Sequence, residues 1–408
     1  MLLSRRSLLS GFAITPLLAQ EKMPAWKPGM LEIHHLSTGR GNCTLVIGPD
    51  GTILMIDAGA QLPNEQELPY YVPAYPDATK RAGEWMARYA ARHLKRAGRD
   101  RIDQLFLTHF HSDHMGAYKP DLPVSKYGDH QLTGVSEVAE FLPITKIVDR
   151  GFPNYDYPAP LEDAMVRNYR AFLANFSKRG LKVEAFRAGV SSQFPLLNRP
   201  AEFDNYEVRN IVANGELWTG VGEQTRKSFP DLKTLDAKAY PSENMCSGGV
   251  RIRYGAFDYF HGGDLCDGSD YGEPAWRDIE TAAAKVVGPV DVALASHHGY
   301  LDSTAPAVVR ALRPRAFVIH SWDSAHPTMP ALHNMLSQAL YPGPRDIFAT
   351  ALKAEARITM KRLSQLKSSL GHVVVRVAPG GASYEIVITT NADESDRVTA
   401  RFGPYISV

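Results

Sequence analysis

The sequence predicts an α/β fold, and stretches in both halves of the chain support this prediction. Residues 77–98 place apolar side chains at helical spacing, and the short apolar strand 104–107 follows them. In the second half, a helical stretch at 275–287 precedes a strand at 290–295. A helix that returns to a neighbouring strand is the usual connection in this class. With 44% hydrophobic and 22% charged residues, the chain has the composition of a globular protein with a sizeable core.

The first residues predict an export signal. Arg5 and Arg6 precede an apolar stretch that ends near Ala19, which is the order of regions in a secretory signal, and the paired arginines resemble a twin-arginine signal. The stretch is too short to anchor the chain across a bilayer. We therefore expect residues 1–19 to be removed and the mature protein to be periplasmic or secreted, with no membrane span.

The charge balance argues against a polyanionic partner. Removing residues 1–19 takes away Arg5 and Arg6 and no other charge, so the formal net charge falls from +1 to −1. A nearly neutral protein has no global field that would attract a nucleic acid. We expect a small-molecule substrate and no stable nucleic-acid complex, whereas the sequence leaves the oligomeric state open.

The N-terminal segment predicts three strands in succession. Residues 31–36 alternate as a strand, residues 44–47 form a second, and the turn at 49–51 leads to a third at 52–56. Asp57 closes the third strand and needs hydrogen-bond partners. Alternation would turn only one of His34 and His35 inward, and we interpret both as structural. His93, in the helix at 77–98, is expected to face solvent.

Residues 108–114, Thr-His-Phe-His-Ser-Asp-His, form the densest group of potential metal ligands in the sequence. They follow the strand at 104–107, so they lie where the chain leaves the sheet. His109 and His111 have strand-like spacing and point the same way, whereas Asp113 and His114 diverge from them at the next turn. Two neighbouring cations are therefore expected. Imidazole and carboxylate ligands suit zinc first, with manganese or iron as alternatives.

The remaining chain contains an insertion, two candidate site segments and a C-terminal hairpin. Residues 118–242 carry the weakest pattern and are predicted to be an insertion, with a strand at 144–149, a helix at 161–178 and a hairpin around Asn214-Gly215. A hairpin through Gly255-Ala256 leads to Asp264, and the strand 290–295 leads to His297 and His298. Residues 371–390 predict a further β-hairpin.

The hairpin predicted through Gly255-Ala256 also predicts how close two of the three cysteines lie. If it is centred between Gly255 and Ala256, residue 246 lies opposite residue 265, which places Cys246 beside Cys266. In an exported protein, these residues form either a disulfide or two thiols, and the sequence leaves both alternatives open.

Residues 108–114 resemble the H-x-H-x-D-H signature of the metallo-β-lactamase superfamily. This resemblance implies a four-layer αββα sandwich over residues 28–408, with the metals at one edge of two facing sheets. Further segments resemble the branch that includes DNA-uptake channel proteins and phosphorylcholine esterases. They are Gly39–Asn42, with Asn42 where that branch usually has Asp, then Asn244–Ser247, Gly263-Asp264, His297-His298-Gly299 and His326-Pro327.

The resemblance also implies a dinuclear ligand set. Asp264 would bridge the two metals, because a carboxylate offers two oxygens. The first metal would take His109, His111 and Asp264, and the second would take Asp113, His114, Asp264 and one of His297 and His298. One first-metal ligand is missing from this set, and Asp149, His130 and His261 are candidates for it. Four residues are expected to support the site: Asp57, Asn244, Ser247 and His326.

This site predicts metal-dependent hydrolysis. Divalent cations lower the pKa of water toward neutrality and polarise the bond under attack. Asp113 and Asp264 are the predicted catalytic residues, and Arg150 or Lys126 is a candidate to neutralise an anionic substrate. The branch resemblance favours a phosphodiester substrate, with a carboxylic ester, lactone or β-lactam as the alternative. A non-catalytic, metal-containing binding protein is an alternative of another class.

Overall fold

The computed structural model describes residues 21–267 and 273–408. The predicted export signal at residues 1–19 lies outside the described residues. None of the helices in the described ranges combines the length and the apolar character that a bilayer crossing requires.

Two large sheets form the centre of the protein. In chain order, the strands of the first sheet are β1 (Leu31–His35), β2 (Thr44–Ile47), β3 (Ile53–Ile56), β4 (Gln104–Leu107), β5 (Lys146–Asp149) and β6 (Lys182–Ala185). Those of the second are β7 (Tyr206–Ala213), β8 (Glu216–Trp218), β9 (Thr225–Lys227), β10 (Gly249–Tyr254), β11 (Phe257–His261), β12 (Val292–Leu294), β13 (Ala316–Ile319) and β14 (Asp346–Ala349). The chain then returns to the first sheet with β15 (His372–Val377), β16 (Ser383–Thr389) and β17 (Val398–Ile406).

The order of the strands places β4 and β12 inside their sheets. The first sheet runs β17-β16-β15-β1-β2-β3-β4-β5-β6, and the second runs β14-β13-β12-β11-β10-β7-β8-β9. Strands β3 to β6 pair in parallel, as do β11 to β14. The carboxyl ends of these parallel strands therefore share one edge of the molecule, and this edge is where β4, β11 and β12 release the loops that carry the predicted ligands.

Helices cover the outer face of each sheet. They are α1 (Ala82–Arg96), α2 (Ser112–Met115), α3 (Gly134–Phe141), α4 (Ala164–Ser177), α5 (Ile279–Val287), α6 (Pro306–Leu312), α7 (Met329–Leu336) and α8 (Ala356–Thr359). Helices α1, α3 and α4 pack on the first sheet, and α5, α6 and α7 pack on the second. A third apolar cluster, with Phe106, Tyr259 and Val292 among its members, fills the space between the sheets. The mixed α/β class and the four-layer αββα sandwich are thus confirmed.

Residues 118–242, predicted to be an insertion, are built into both sheets. They contribute β5 and β6 to the first sheet and β7 to β9 to the second. Their alternation is weak because both strands are short: β5 is largely buried, whereas β6 is a partly exposed strand at the sheet edge.

The C-terminal hairpin forms as predicted from β15 and β16, and β17 adds a third strand beside it. The sequence analysis missed β17. This strand contains Gly403 and Pro404 and lies at the sheet edge, where proline is tolerated, so its sequence lacks a regular strand pattern.

Three histidines are buried, although alternation predicts exposure of one of His34 and His35 and helix position predicts exposure of His93. His34 and His35 are both fully buried, because β1 lies inside the sheet with layers on each face. The prediction that His93 faces solvent is wrong. It is 3% exposed, packs against the rings of His34 and Tyr89, and has its Nε2 3.5 Å from Asp396.

Candidate metal centre

The loop after β4 carries four of the predicted ligands to the shared edge of the sheets. His109 is buried directly beyond β4, and His111 is the half-buried N-cap residue of α2. Asp113 and His114 lie in the first turn of α2 and are both buried. The short helix therefore turns Asp113 and His114 away from the strand direction that His109 and His111 follow.

The structure brings six of the predicted ligands into two groups that share one carboxylate. Asp113, His114, Asp264 and His298 each offer a ligand atom within 4.8 Å of the others, and so do His109, His111 and Asp264. Nε2 of His114 is 3.0 Å from Oδ1 of Asp264, and Nε2 of His298 is 2.8 Å from Oδ2 of Asp113. The two groups have the composition that the resemblance implied, with Asp264 in both.

Asp57 fixes the direction of the His114 ring. Its Oδ1 accepts the Thr108 N–H at 2.8 Å, and its Oδ2 accepts the Thr108 hydroxyl at 2.9 Å. His114 Nδ1 donates to the same Oδ2 at 2.7 Å, which leaves Nε2 facing Asp264. Asp57 sits beyond β3 with a φ of 59°, a conformation that Asp adopts more readily than most residues.

Two loops hold the backbone of α2 in place. Asn42 N–H donates to the Asp113 carbonyl and Ala58 N–H donates to the His114 carbonyl, each at 2.8 Å. The contact is so close that a Cβ on Gly59 would lie 1.6 Å from the Asp113 oxygen, and one on Gly41 would lie 2.5 Å from it. The turn at 39–42 therefore acts through its backbone. The Asn42 side chain lies 3.4 Å from His114 Nε2.

Glu243 is a site residue that the sequence analysis missed. Its Oε1 accepts the Phe110 N–H at 2.8 Å, between the two first-group histidines, and also the Arg150 Nε–H at 2.9 Å. Arg150 is buried and stacks 4.9 Å from the Phe110 ring, so it braces the metal loop and is not available to a substrate. Lys126 is 58% exposed and lies beside Glu140. Both cations thus have carboxylate partners within the protein.

The structure distinguishes His298 from His297. His298 is 2% exposed and donates from Nδ1 to the carbonyl of His320 at 3.0 Å, so its Nε2 faces the ligand group. The His297 ring points away from the ligand group and donates from Nδ1 to Asp302 at 2.6 Å. Its Nε2 accepts from Asn244 Nδ2 at 3.1 Å.

The other predicted supporting residues lie around these ligands. Ser247 Oγ accepts the Asp264 N–H at 3.3 Å. Asn244 acts on His297 and not on a member of either group. His326 stacks on His298 with 4.3 Å between ring centroids, and Trp322 packs edge-on against His326 at 4.8 Å. His326 and Trp322 thus form an aromatic wall on the second group.

The three candidates for a further first-metal ligand lie outside both groups. Both oxygens of the Asp149 carboxylate already accept hydrogen bonds. The donors are the Gly151 and Phe152 amides and the Tyr155 and Tyr169 hydroxyls. His130 packs on the rings of Phe172 and Phe176. His261 is fully buried and accepts the Gly263 N–H at 3.2 Å. Among the described residues, the first group therefore has three members.

The buried carboxylates of the second group stabilise the protonated forms of the neighbouring imidazoles. Burial by itself lowers the pKa of His114, but Asp264, Asp113 and Asp57 outweigh it and hold that pKa well above its usual value. Burial likewise opposes protonation of His298, yet Asp264 and Asp113 raise its pKa to about 9. Burial would raise the pKa of Asp264, and the two imidazoles hold it well below its usual range.

These residues fit divalent cations. His114 and His298 each donate from Nδ1 to an oxygen acceptor and present Nε2 to the group, which is the arrangement that orients metal-binding histidines. Imidazole nitrogens and carboxylate oxygens suit zinc, manganese and iron alike. The fold and these groups define a protein built to hold divalent metal ions at the edge of its sheets.

Cys246 and Cys266 are both buried in the cluster beneath the second sheet, together with Leu265. The hairpin register pairs Val250 with His261, which is the predicted centre between residues 255 and 256. The structure contains no disulfide among its described residues.

Comparison with known proteins finds a family match in part of the chain. Residues 36–119 match the family model described as "Metallo-beta-lactamase superfamily". No curated protein matches the sequence significantly. Among solved structures, the chain is similar to a mutant of the CmlA beta-hydroxylase at 15% identity and a TM-score of 0.40, over 79% of this chain and 53% of that one. The chain thus spans about half the length of that structure.

The similarity to the metallo-β-lactamase superfamily covers residues 36–119 of the chain. The family match covers β2 to α2, which includes the first four ligands, and the two facing sheets with their outer helices supply the rest of the superfamily's fold. This fold is of the metal-dependent hydrolase type, and most members of the superfamily are enzymes.

Proposed function

We propose that this protein is an exported metal-dependent hydrolase that uses two divalent cations, zinc first, to act on a phosphodiester. The observation that carries the proposal is the pair of ligand groups that share Asp264 at the edge of the two sheets. Two cations a few Å apart suit displacement at phosphorus, because the attacking and leaving oxygens both need stabilisation.

The chain's own residues have distinct parts in this chemistry. Asp57 and the His320 carbonyl orient His114 and His298, and Glu243 holds the backbone of the metal loop at Phe110. Asp113 accepts from His298 at the centre of the second group, where its carboxylate can hold a proton from the attacking water. When bound, the cations would supply an activated water and polarise the substrate oxygen.

The first group supports catalysis over a purely structural use of metal. A structural zinc site is closed by four protein ligands, whereas a catalytic site keeps a position for water or substrate. The first group offers three members among the described residues. This count favours a hydrolase over a metal-containing binding protein. Carboxylic ester, lactone or β-lactam hydrolysis is the alternative reaction class.

The test is elemental analysis of the purified mature protein together with a panel of chromogenic phosphodiester, phosphomonoester, ester and β-lactam substrates. We expect roughly two metals per chain and phosphodiester turnover that a chelator abolishes. Turnover confined to ester or β-lactam substrates would replace phosphodiester chemistry with the alternative class.

An Asp264→Ala variant tests the shared carboxylate directly. We expect this variant to lose metal and turnover together, because both groups lose a member. His297→Ala is the matched control for metal content, since His297 lies beside a ligand but outside both groups. Metal loss without loss of hydrolysis in Asp264→Ala would refute the mechanism.

A further inference from the structure

A cavity of about 270 Å³ lies beside the metal loop and is lined by an excess of positive charge. Its wall includes four cationic side chains and one carboxylate, together with the apolar surfaces of Trp85, Leu122 and Leu132. The charged members are Arg40, Lys80, Arg81, Lys119 and Glu137.

Two of these cations have carboxylate partners and two do not. Lys80 pairs with Glu84 at 2.6 Å, and Arg81 pairs with Glu137. Arg40 donates to the carbonyls of Gly39 and Val72, and Lys119 is exposed. Within residues 21–267 and 273–408, neither Arg40 nor Lys119 forms an ion pair. The cavity therefore keeps positive charge that an anion can neutralise.

A buried threonine and a helix terminus belong to the same wall. Thr38 is 4% exposed and lines the cavity, and its Oγ1 has no hydrogen-bond partner among the described atoms. A buried hydroxyl without a partner is costly unless a ligand or water supplies one. Helix α1 begins here at Arg81 without a side-chain cap, so its first amides add positive potential.

The cavity adjoins the turn that carries the ligands. Ala60 and Ala117 both line it, and Ala117 N–H donates to the Ala60 carbonyl at 3.0 Å. Ala60 N–H in turn donates at 3.2 Å to the carbonyl of Ser112, the neighbour of Asp113. Two backbone hydrogen bonds thus connect the cavity wall to the second ligand group.

We propose that this cavity is a substrate subsite for a second anionic group attached to an apolar body, such as an aryl or alkyl phosphate, sulfonate or carboxylate. This assignment rests on the proposed function, because it makes the metal centre the place where the scissile bond lies. Arg40 and Lys119 contact the anion, and the ring of Trp85 with its leucine neighbours covers the apolar body.

The probe for this subsite is naphthalenesulfonate, an aromatic anion that metals bind weakly. Calorimetric titration of the metal-loaded protein should show saturable binding of one probe per chain, and the probe should inhibit turnover competitively. Lys119→Ala should weaken binding about fivefold, as expected for one lost charge contact.

Lys95→Ala is the matched control, because Lys95 is exposed at the far end of α1 and outside the cavity. Absence of probe binding, or equal weakening by Lys95→Ala and Lys119→Ala, would overturn the anion site. Binding that leaves turnover unchanged would overturn its assignment to the substrate. Binding in a protein that hydrolyses no substrate of the panel would count against the proposed function while the anion site stands.

Discussion

At the residue scale, the metal centre depends on hydrogen bonds that direct each ring. His114 presents Nε2 because Asp57 occupies its Nδ1, and His298 does so because the His320 carbonyl occupies its Nδ1. His297 shows the opposite outcome, since Asp302 and Asn244 hold both of its nitrogens away from the ligand groups.

Replacing Asp57 with Asn should weaken metal binding about 10- to 100-fold, the usual cost of losing an orienting partner. An amide oxygen cannot accept all three hydrogen bonds that the carboxylate accepts, so the His114 ring loses its fixed direction. Competition between the protein and a chromophoric chelator measures the affinity.

Asp149→Asn is the control for this experiment. Asp149 is another fully buried carboxylate at a strand end, but it lies outside both ligand groups. Its replacement should cost about 1–3 kcal/mol of stability and leave metal affinity unchanged. A fall in metal affinity equal to that of Asp57→Asn would show that general damage to the sheet edge, and not ring orientation, governs binding.

Six of the residues predicted as ligands come together in the structure, but the sequence does not show which of two adjacent histidines joins them. His297 and His298 have φ values of 44° and 57°, and these left-handed conformations set where each ring points. No local pattern reveals them. The sequence does not reveal Glu243 as a site residue either, because its partners Phe110 and Arg150 are 133 and 93 residues away in the chain.

At the element scale, α2 is a single helical turn that depends on neighbouring loops for its stability. A four-residue helix has too few internal hydrogen bonds to be stable alone. The loops at 39–42 and 58–60 supply the missing bonds through close backbone contacts. Gly41 and Gly59 are needed because a Cβ on either would collide with the Asp113 backbone of the helix.

Gly59→Ala should therefore displace α2 and destabilise the protein by about 3 kcal/mol, with loss of the second metal. Its Cβ would lie 1.6 Å from the Asp113 carbonyl oxygen, and a backbone atom cannot move aside as a flexible side chain can. Chemical denaturation and elemental analysis measure the two effects.

Gly48→Ala provides the comparison, because its Cβ meets the flexible end of Leu196 at 2.9 Å at a strand end away from the ligands. This variant should keep its metal. Retention of both metals in Gly59→Ala would show that α2 can shift without disturbing coordination.

Sequence periodicity predicts the helices and most strands of this fold, and it fails where burial is decided by distant segments. Helix α1 was predicted, yet His93 on it is buried because Asp396, beyond β16, lies against it. Strands inside a four-layer sandwich are covered on both faces, so β1 shows His34 and His35 buried together. Alternation along a single strand does not show whether a second layer covers the other face of its sheet.

At the scale of the whole molecule, the two ligand groups lie where separate halves of the chain meet. His109 to His114 follow β4 of the first sheet, and Asp264 and His298 follow β11 and β12 of the second. The charge state of the groups therefore affects the stability of the entire sandwich.

Metal-free protein should lose stability as the pH rises from about 6.5 through about 9. Its folded state holds a proton on His298 with a pKa of about 9, above the value of about 6.5 for an unfolded histidine. A raised folded pKa contributes stability that is complete below the unfolded value and is lost through the folded one. Urea midpoints of chelator-treated protein across this range measure the effect.

Metal-loaded protein should not show this decline, because a cation takes the place of the proton and binds better as the histidines deprotonate. The same decline with and without metal would contradict the placement of the cations at His298. A flat profile for the metal-free protein would contradict the raised pKa itself.

The sharing of Asp264 also sets an order of assembly. His298 meets Asp113 across 185 residues of chain, and neither ligand group is complete until both sheets have formed and closed on each other. A bound pair of cations would then link the two halves of the sandwich. Full coordination would follow folding, because each ligand group forms only when both sheets are in place.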